Sequence, residues 1–579
     1  MGQSANIVIR NGKVITMDDA APRAQAVAIF GNRIVKVGSD AEAMELAGPF
    51  THVIDAGGGT IVPGFNESHM HIFGGSLSLI QLPLMGVRGE AALTNAIAAY
   101  AAQNPDLPLL VGNGADYLIF GDTPADRHKL DAIMPDRPLL LISPDYHTAW
   151  ANTVALKAAG ILEGAKLSIG NEIVMGADGL AGGELRESEA MGPVLELGST
   201  GGRERFGIAT GGDPDLVTDA QRASDIALLK KGLVYCASLG ITSFQNMDGN
   251  LYQLELLDEI EKTDGLPVRV RMPYHMKNFM PLSVIEEKAV AWRERYNTDR
   301  LRCDFVKMFA DGVIESGTAV MVGGYGDHPE ENGDLLFPAE QFNAVAVEAD
   351  RLGFQMAVHA IGTGAVREVL DGYEHARTLN GARDSRHRIE HIETIEPDDV
   401  PRLSALGVVG SMQPTHPPGT GDLPLQPYLG RIGEKRWPLA FAWRTIKDSG
   451  VTLVLGTDWP VTPLDPLACI EGALVRQPWR DDLKDQRLSL SELLEGYTKN
   501  CAWVEFMEDR KGVLKPGYLA DVVVLSGDIE ATAPEAVSRL KAAVTICDGR
   551  VTHTFIQSAP ELPPPEGQGR EASCGAAEL

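Results

Sequence analysis

The sequence predicts an α/β fold: a (β/α)8 barrel, a small β domain built from both chain ends, and a subdomain inserted into the barrel. Three observations carry this. Short apolar runs alternate with amphipathic stretches through the middle of the chain, both ends are rich in strand-and-turn patterns, and one long stretch fits neither. At 579 residues the chain is too long for one ordinary core and long enough for two or three.

Near the N-terminal end, IVIRNGKVITM sets two apolar runs about Asn11-Gly12, a hairpin signal, and AQAVAIFGNRIVKVGS repeats it about Gly31-Asn32. HVIDAGGGTIVPGF completes a small β unit. At the other end, GYLADVVVLSGD and AAVTICDGRVTHTFI read as strands broken by Gly-Asp and Asp-Gly turns. In the middle, LPLLVGN, RPLLLISP, GITSFQN, CDFVKMFADG, GFQMAVHAIG, HRIEHIE, GVVGSMQP and VTLVLGTDW read as strands, while PAEQFNAVAVEADRLG and TGAVREVLDGYEHARTLNG read as helices. The expected division is a β unit over 1–62, a barrel over 63–505 with an insertion over about 85–235, a second β unit over 506–558, and a disordered Pro/Gly/Glu-rich tail over 559–579.

The formal charge of −28 excludes a nucleic-acid face and disfavours anionic membrane surfaces. It suits a neutral or cationic small molecule better than a polyanion. Six cysteines, Cys236, Cys303, Cys469, Cys501, Cys547 and Cys574, are scattered without a CxxC pair, so we expect reduced thiols and a cytoplasmic setting. No signal peptide is expected in MGQSANIVIRNGKVITMDD, and no apolar run reaches the ~18 residues of a membrane helix. A homo-oligomer, most simply a dimer, is the expected assembly.

Chemistry-bearing residues fall at strand ends, where a barrel displays its active site. IVPGFNESHMH ends a strand in His69 and His71, two apart and therefore on one face, as two imidazoles on one metal require. CDFVKMFADG buries Lys307 in an apolar run; a snorkelling or salt-bridged lysine is the ordinary explanation, and a lysine carbamylated by carbon dioxide the other. GFQMAVHAIG ends in His359, SRHRIEHIE in His391, and VTLVLGTDW in Asp458, which alone could be a helix cap. The order HxH, Lys, His, His, Asp, at these spacings, fits strands one, four, five, six and eight of a barrel.

These residues, together with VPGFNESHMH, DYHTAWAN, DGLAGGELRE, HAIGTGA, RIEH and GTDWPV, resemble the amidohydrolase superfamily over nearly the whole chain, within the subgroup of N-substituted formamide deformylase and the YtcJ-like proteins (amidohydrolase family 3). The resemblance implies a distorted TIM (β/α)8 barrel with a β-sandwich from both termini and an insertion over the active-site mouth. It implies that His69 and His71 hold the more buried of one or two divalent metal ions, most simply zinc. Lys307, as a carbamate, would bridge to a second ion on His359 and His391, and Asp458 would touch metal and act as general base.

The expected activity is cleavage of an amide-type C–N bond in a small, N-substituted amide by metal-activated water. A deaminase or cyclic-amide hydrolase on the same scaffold is the alternative, and a non-catalytic binding barrel the remote one. In PDYHTAWAN, Asp145, Tyr146, His147 and Trp150 are candidate substrate contacts, with His147 polarising the carbonyl and Asn152 capping a helix. Tyr117, Trp150, Trp459 and Met70 are expected to line the pocket. Asp311 and Glu184 are expected to hold other site residues in place from behind.

Overall fold

The computed structural model describes residues 4–121, 123–144, 146–168, 170–420 and 423–555. Asp145, Cys574 and the tail over 559–579 lie outside them. An eight-stranded parallel sheet forms the barrel. Its strands in chain order are β1 Phe65–Met70, β2 Ile241–Asn246, β3 Arg269–His275, β4 Leu301–Phe309, β5 Gln355–Ala360, β6 Arg388–His391, β7 Val409–Met412 and β8 Leu453–Leu455. Each pairs with the next in parallel, from β1–β2 through β7–β8. The cylinder closes just beyond β8, where Met70 bridges Trp459 and Asp458 N donates to His69 O at 2.8 Å.

Outside the barrel, the chain ends build two sheets. One holds four strands, in the order Arg33–Gly38, Ala26–Phe30, Ile7–Arg10, His52–Asp55. The other holds six and mixes both termini: Val522–Leu525 pairs with Thr60–Pro63 on one side and Ala542–Cys547 on the other. Ile9, Val27, Ile29, Ile61, Val522 and Ile546 pack between them. Gly31-Asn32 and Asp548-Gly549 are tight hairpin turns, with Phe30 opposite Arg33 and Cys547 opposite Arg550. Asn11-Gly12 is not one. Ile7–Arg10 belongs to the first sheet and Lys13–Ile15 to the second, so this dipeptide, with Asn11 at φ 54°, carries the chain from sheet to sheet. The Asn-Gly pair supplies the left-handed backbone in either case; sequence does not say whether the two strands it joins pair with each other.

Between β1 and β2 lies a third unit, a six-stranded mixed sheet running from Leu82–Pro83 to Ala181–Arg186. LPLLVGN and RPLLLISP supply two of its strands, Leu110–Asn113 and Leu139–Ile142, rather than barrel strands. Both faces are covered by apolar cores. Asn152 caps the helix Thr153–Ala158, its side chain accepting from Ala155 N. The helix Asp219–Ser238 then leads into β2 and puts Leu228, Leu229, Leu233 and Cys236 into the barrel's core. Among the described residues no helix is long and apolar enough to cross a membrane, and the five described cysteines are buried and unpaired.

A buried ion pair ties the barrel to the terminal sheets. Arg269 at the start of β3 donates to both oxygens of Asp521, at 2.8 and 3.1 Å, and to Asp548 at 2.8 Å. Burial works against the charge on Asp521, but Arg269 outweighs it and holds the carboxyl below its ordinary value of 3.8. Asp521→Ala strands a buried guanidinium, and we expect a loss of about 3–5 kcal/mol in urea unfolding at neutral pH. Because the folded carboxyl has the lower pKa, its contribution is present above about pH 4 and disappears as pH falls below that. The unfolding midpoints of wild type and variant should therefore converge in acid; an equal gap at pH 7 and pH 3 contradicts the assignment.

Candidate active site

The site is built where β8 meets β1. Glu67 Oε1 on β1 accepts the Thr457 N–H at 2.6 Å and the His69 N–H at 3.3 Å. Gly456 permits this approach, since a Cβ there would lie 2.6 Å from Glu67 Oε1 and 2.7 Å from His69 N. Beyond it Asp458 turns into the left-handed region at φ 58°. Tyr146, Glu187 and His391 share positive φ, a concentration of strained backbone around one place.

His69 Nε2 lies 3.3 Å and His71 Nε2 3.1 Å from Asp458 Oδ1. Each imidazole is fixed from behind by a carboxylate: His69 Nδ1 by Glu390 at 2.7 Å, His71 Nδ1 by Asp248 at 2.6 Å. A carboxylate behind each ring sets its tautomer and points Nε2 forward, the usual support of a metal-bound histidine. Burial disfavours the His71 cation, yet Asp248 and Asp458 carry it to about 9. Burial likewise opposes the charge on Asp458, but His69 and His71 hold its carboxyl well below the usual range.

The second carboxylate oxygen, Asp458 Oδ2, faces another pair. It is 4.0 Å from His391 Nδ1 and 3.9 Å from His416 Nε2, with the two rings stacked at 5.9 Å. Gln413 Oε1 lies 3.0 Å from His391 Nδ1. Burial pushes His416 down to about 4 and His391 well below its ordinary value, so both are neutral near pH 7. His359, at the end of β5, is 4.6 Å ring to ring from His391, but its Nε2 sits 3.0 Å from Gly312 O. Lys307, inside β4, is fully buried, and its Nζ has no hydrogen-bond partner. Burial pulls it down to about 8. Asp311 accepts three backbone N–H groups, from Val320, Ile361 and Gly362, at 2.9–3.0 Å. It thereby pins the loop that follows His359 at the end of β5; its own distance to that ring is 3.8 Å. Burial lifts Asp311 to about 7.

Above these groups opens a cavity of about 1290 Å³ whose floor is the barrel mouth and whose wall comes from the inserted unit. His69, His71, His359, His391, His416 and Asp458 reach it from below, and Tyr117, Tyr146, His147, Glu187 and Phe206 from the side. His147 Nδ1 is 2.8 Å from Glu187 Oε2, and Thr318 donates to the other oxygen at 2.9 Å. Tyr117 lines the cavity and donates its hydroxyl to Thr148.

Four expected site residues lie elsewhere. Met70 is fully buried in the barrel core, because period-two alternation turns it away from the face shared by His69 and His71. Trp459 also packs in that core, and its backbone carbonyl accepts from His71 N. Trp150 fills the core of the inserted sheet, edge-on to Tyr117. Glu184 pairs with Arg186 on that sheet; Glu187, three residues on, is the one that holds His147. The sequence reading also missed His416, whose only signal is a histidine four residues beyond the end of β7, and Asp248, two beyond β2.

The donor set fits a divalent cation. Two ligands about 2.0–2.1 Å from a tetrahedral ion stand about 3.3 Å apart, and the His69–Asp458 and His71–Asp458 separations are 3.3 and 3.1 Å. Asp458 Oδ1 is buried and takes part in no well-formed hydrogen bond.

Residues 52–553 match the amidohydrolase family model Amidohydro_3. The chain is 27% identical to the putative amidohydrolase YtcJ of Bacillus subtilis, over 94% of this chain and 98% of that one. It is 26% identical to the N-substituted formamide deformylase of Arthrobacter pascens, over 95% and 98%. Among solved structures, an uncharacterized metal-dependent hydrolase from Pyrococcus furiosus superposes with a TM-score of 0.65 at 25% identity, covering 89% of this chain and 98% of that one. With the family match spanning the whole barrel and half of the strands of the terminal sheets, the protein is a member of the amidohydrolase family.

Proposed function

We propose that this protein hydrolyses the C–N bond of a small, N-substituted amide with metal-activated water. The observation that carries the reading is the convergence of His69 Nε2 and His71 Nε2 on Asp458 Oδ1 at the cavity floor. The similarity to a formamide deformylase supports the choice of bond. His69, His71 and Asp458 would hold the ion, and the His/carboxylate donors suit zinc. Bound there, it supplies the Lewis acidity that makes water nucleophilic near neutral pH.

The chain's own residues supply the remaining chemistry. Asp458, ionised and facing the cavity, takes the proton of the attacking water and returns one to the departing nitrogen. His147 is oriented by Glu187 and faces the cavity, where its imidazole polarises the substrate carbonyl. Lys307 is buried without a partner, the setting in which a lysine gives up its proton and can add carbon dioxide as a carbamate. The wall of apolar and aromatic side chains keeps bulk water from the leaving group.

A panel of formamides, acylated amines, N-acyl amino acids and cyclic amides tests the bond class. Turnover confined to aminopurine-type deamination substrates overturns it. Asp458→Asn should lower kcat by about 10²–10⁴-fold with an unchanged circular dichroism spectrum, because Asn tolerates the φ of 58° at this position. Chelation should abolish turnover, and zinc restore it; full activity in chelator contradicts the metal assignment. For His147→Ala we expect kcat to fall by about 10²–10³-fold with KM changed far less. A loss confined to KM would make His147 a binding group only.

A further inference from the structure

Lys277 stands two residues beyond the end of β3 and lines the wall of the cavity. It is largely out of water, yet its ammonium has no hydrogen bond and no ion pair among the described residues. Its marked contact is with the Phe309 ring, whose centroid lies 5.2 Å from Nζ. That ring is 4.7 Å from the His359 ring, so the charge sits one aromatic ring away from the histidines of the floor. Burial, with the charge of Lys307 next, pulls Lys277 down to about 8, which leaves it mostly charged near pH 7. Asp248 and Glu187 favour that charge from a distance, but His71 and His147 already occupy them. A second cation, Arg205, lines the same cavity, and its guanidinium makes one hydrogen bond, from Nη2 to Ser188 O at 3.4 Å. Arg205 precedes the short helix Phe206–Ala209, and the turn beyond that helix lies against the end of β3: a Cβ at Gly211 would stand 2.8 Å from His275 O. Both cations therefore enter from the same side, with Phe206 and Phe309 as apolar surface beside them. In a chain with a net charge of −28, two cations left without a carboxylate at one wall are an exception. An ammonium taken out of water is costly until an anion reaches it, and here the protein supplies none.

We infer that the amide substrate carries a carboxylate and that Lys277 receives it. This rests on the proposed amide hydrolysis. The ion pair forms only as the substrate enters, and a neutral amide leaves the ammonium unpaired, so Lys277 selects for the acid and against its uncharged analogue. The substrate class is then the N-acyl amino acids or the monoamides of dicarboxylic acids, which present the same carboxylate from opposite sides of the amide.

The test sets each carboxylate against its decarboxylated partner on the zinc-loaded full chain: N-formylphenylalanine against N-formylphenethylamine, and N-benzylsuccinamate against N-benzylpropanamide. In wild type, kcat/KM should favour the carboxylate about 10–100-fold in at least one pair, and the pair that responds tells which side of the amide bears it. Lys277→Met should bring that ratio to within about threefold of one, chiefly through KM, and Lys277→Arg should restore part of it. Circular dichroism must show each variant folded, with Lys277→Gln in place of the Met variant if the latter is not. Equal turnover within both pairs in wild type overturns the inference and leaves the proposed function standing. A carboxylate preference unchanged in the folded Lys277 variants overturns it too. If no amide is hydrolysed the proposed function fails, and calorimetry with N-acetylphenylalanine then reads the site directly. Binding at least about tenfold weaker in Lys277→Met keeps the carboxylate site, and equal binding removes it.

Discussion

The seam between the first and last barrel strands is the constraint on which the rest of the structure depends. A parallel sheet of eight strands must close to leave no unpaired edge, and here it closes through backbone hydrogen bonds at His69, His71, Asp458 and Trp459. The residues that satisfy the backbone are the same ones whose side chains form the centre. Closing the barrel and assembling the site are one event. The left-handed turn at Asp458 lets its N–H complete the ladder while its carboxylate swings between the histidines. Gly456 gives the seam its close approach, and Glu67 ties both strands together from within.

Burying so many ionisable groups in a barrel mouth is costly unless each is paired. The chain solves this in layers. Behind His69 stands Glu390, and behind Glu390 stands Arg388, fully buried, with Nε and Nη2 on its two oxygens at 2.8 and 2.9 Å. Burial opposes the charge on Glu390, and Arg388 with His69 holds it well below the usual carboxylate range. A permanently charged guanidinium below thus keeps a carboxylate ionised, which keeps an imidazole aimed upward. Asp248 plays the same part for His71. Lys307 Nζ has no hydrogen-bonded partner in this stack, so no contacting carboxylate fixes its charge.

The barrel, Lys307 inside β4 and the strand ends carrying His69, His359, His391 and Asp458 were legible in the sequence because they rest on local patterns. Apolar runs of strand length recur between amphipathic stretches, and a polar residue at the end of such a run has one place to go. What was not legible depends on direction and on loops. Met70 and Trp459 adjoin site residues in sequence yet point into the core, and alternation along a strand foretells that for Met70. Trp150 has the residue type of a pocket wall, but its strand is sandwiched between two cores. His416 and Asp248 sit beyond strand ends, on turns whose path follows from tertiary contacts. Asn11-Gly12 announces a turn without saying which sheets it joins.

The division of labour between barrel and insertion follows from the same geometry. The floor of the cavity is fixed by the closure of the barrel, so its chemistry has little freedom to vary. The wall is borne by a separate sheet with its own cores, so its side chains can change without disturbing the seam. One chain of contacts between the two, Thr318 to Glu187 to His147, runs from the loop after β4 into the inserted unit. The role proposed for His147 requires the insertion to sit correctly over the floor. The Glu187 hydrogen bonds make that dependence physical, because the carboxylate that orients His147 is itself anchored to the barrel side. Under the proposed function, substrate selection would lie in the cavity's wall, and the bond that registers wall against floor also orients the His147 imidazole at the cavity.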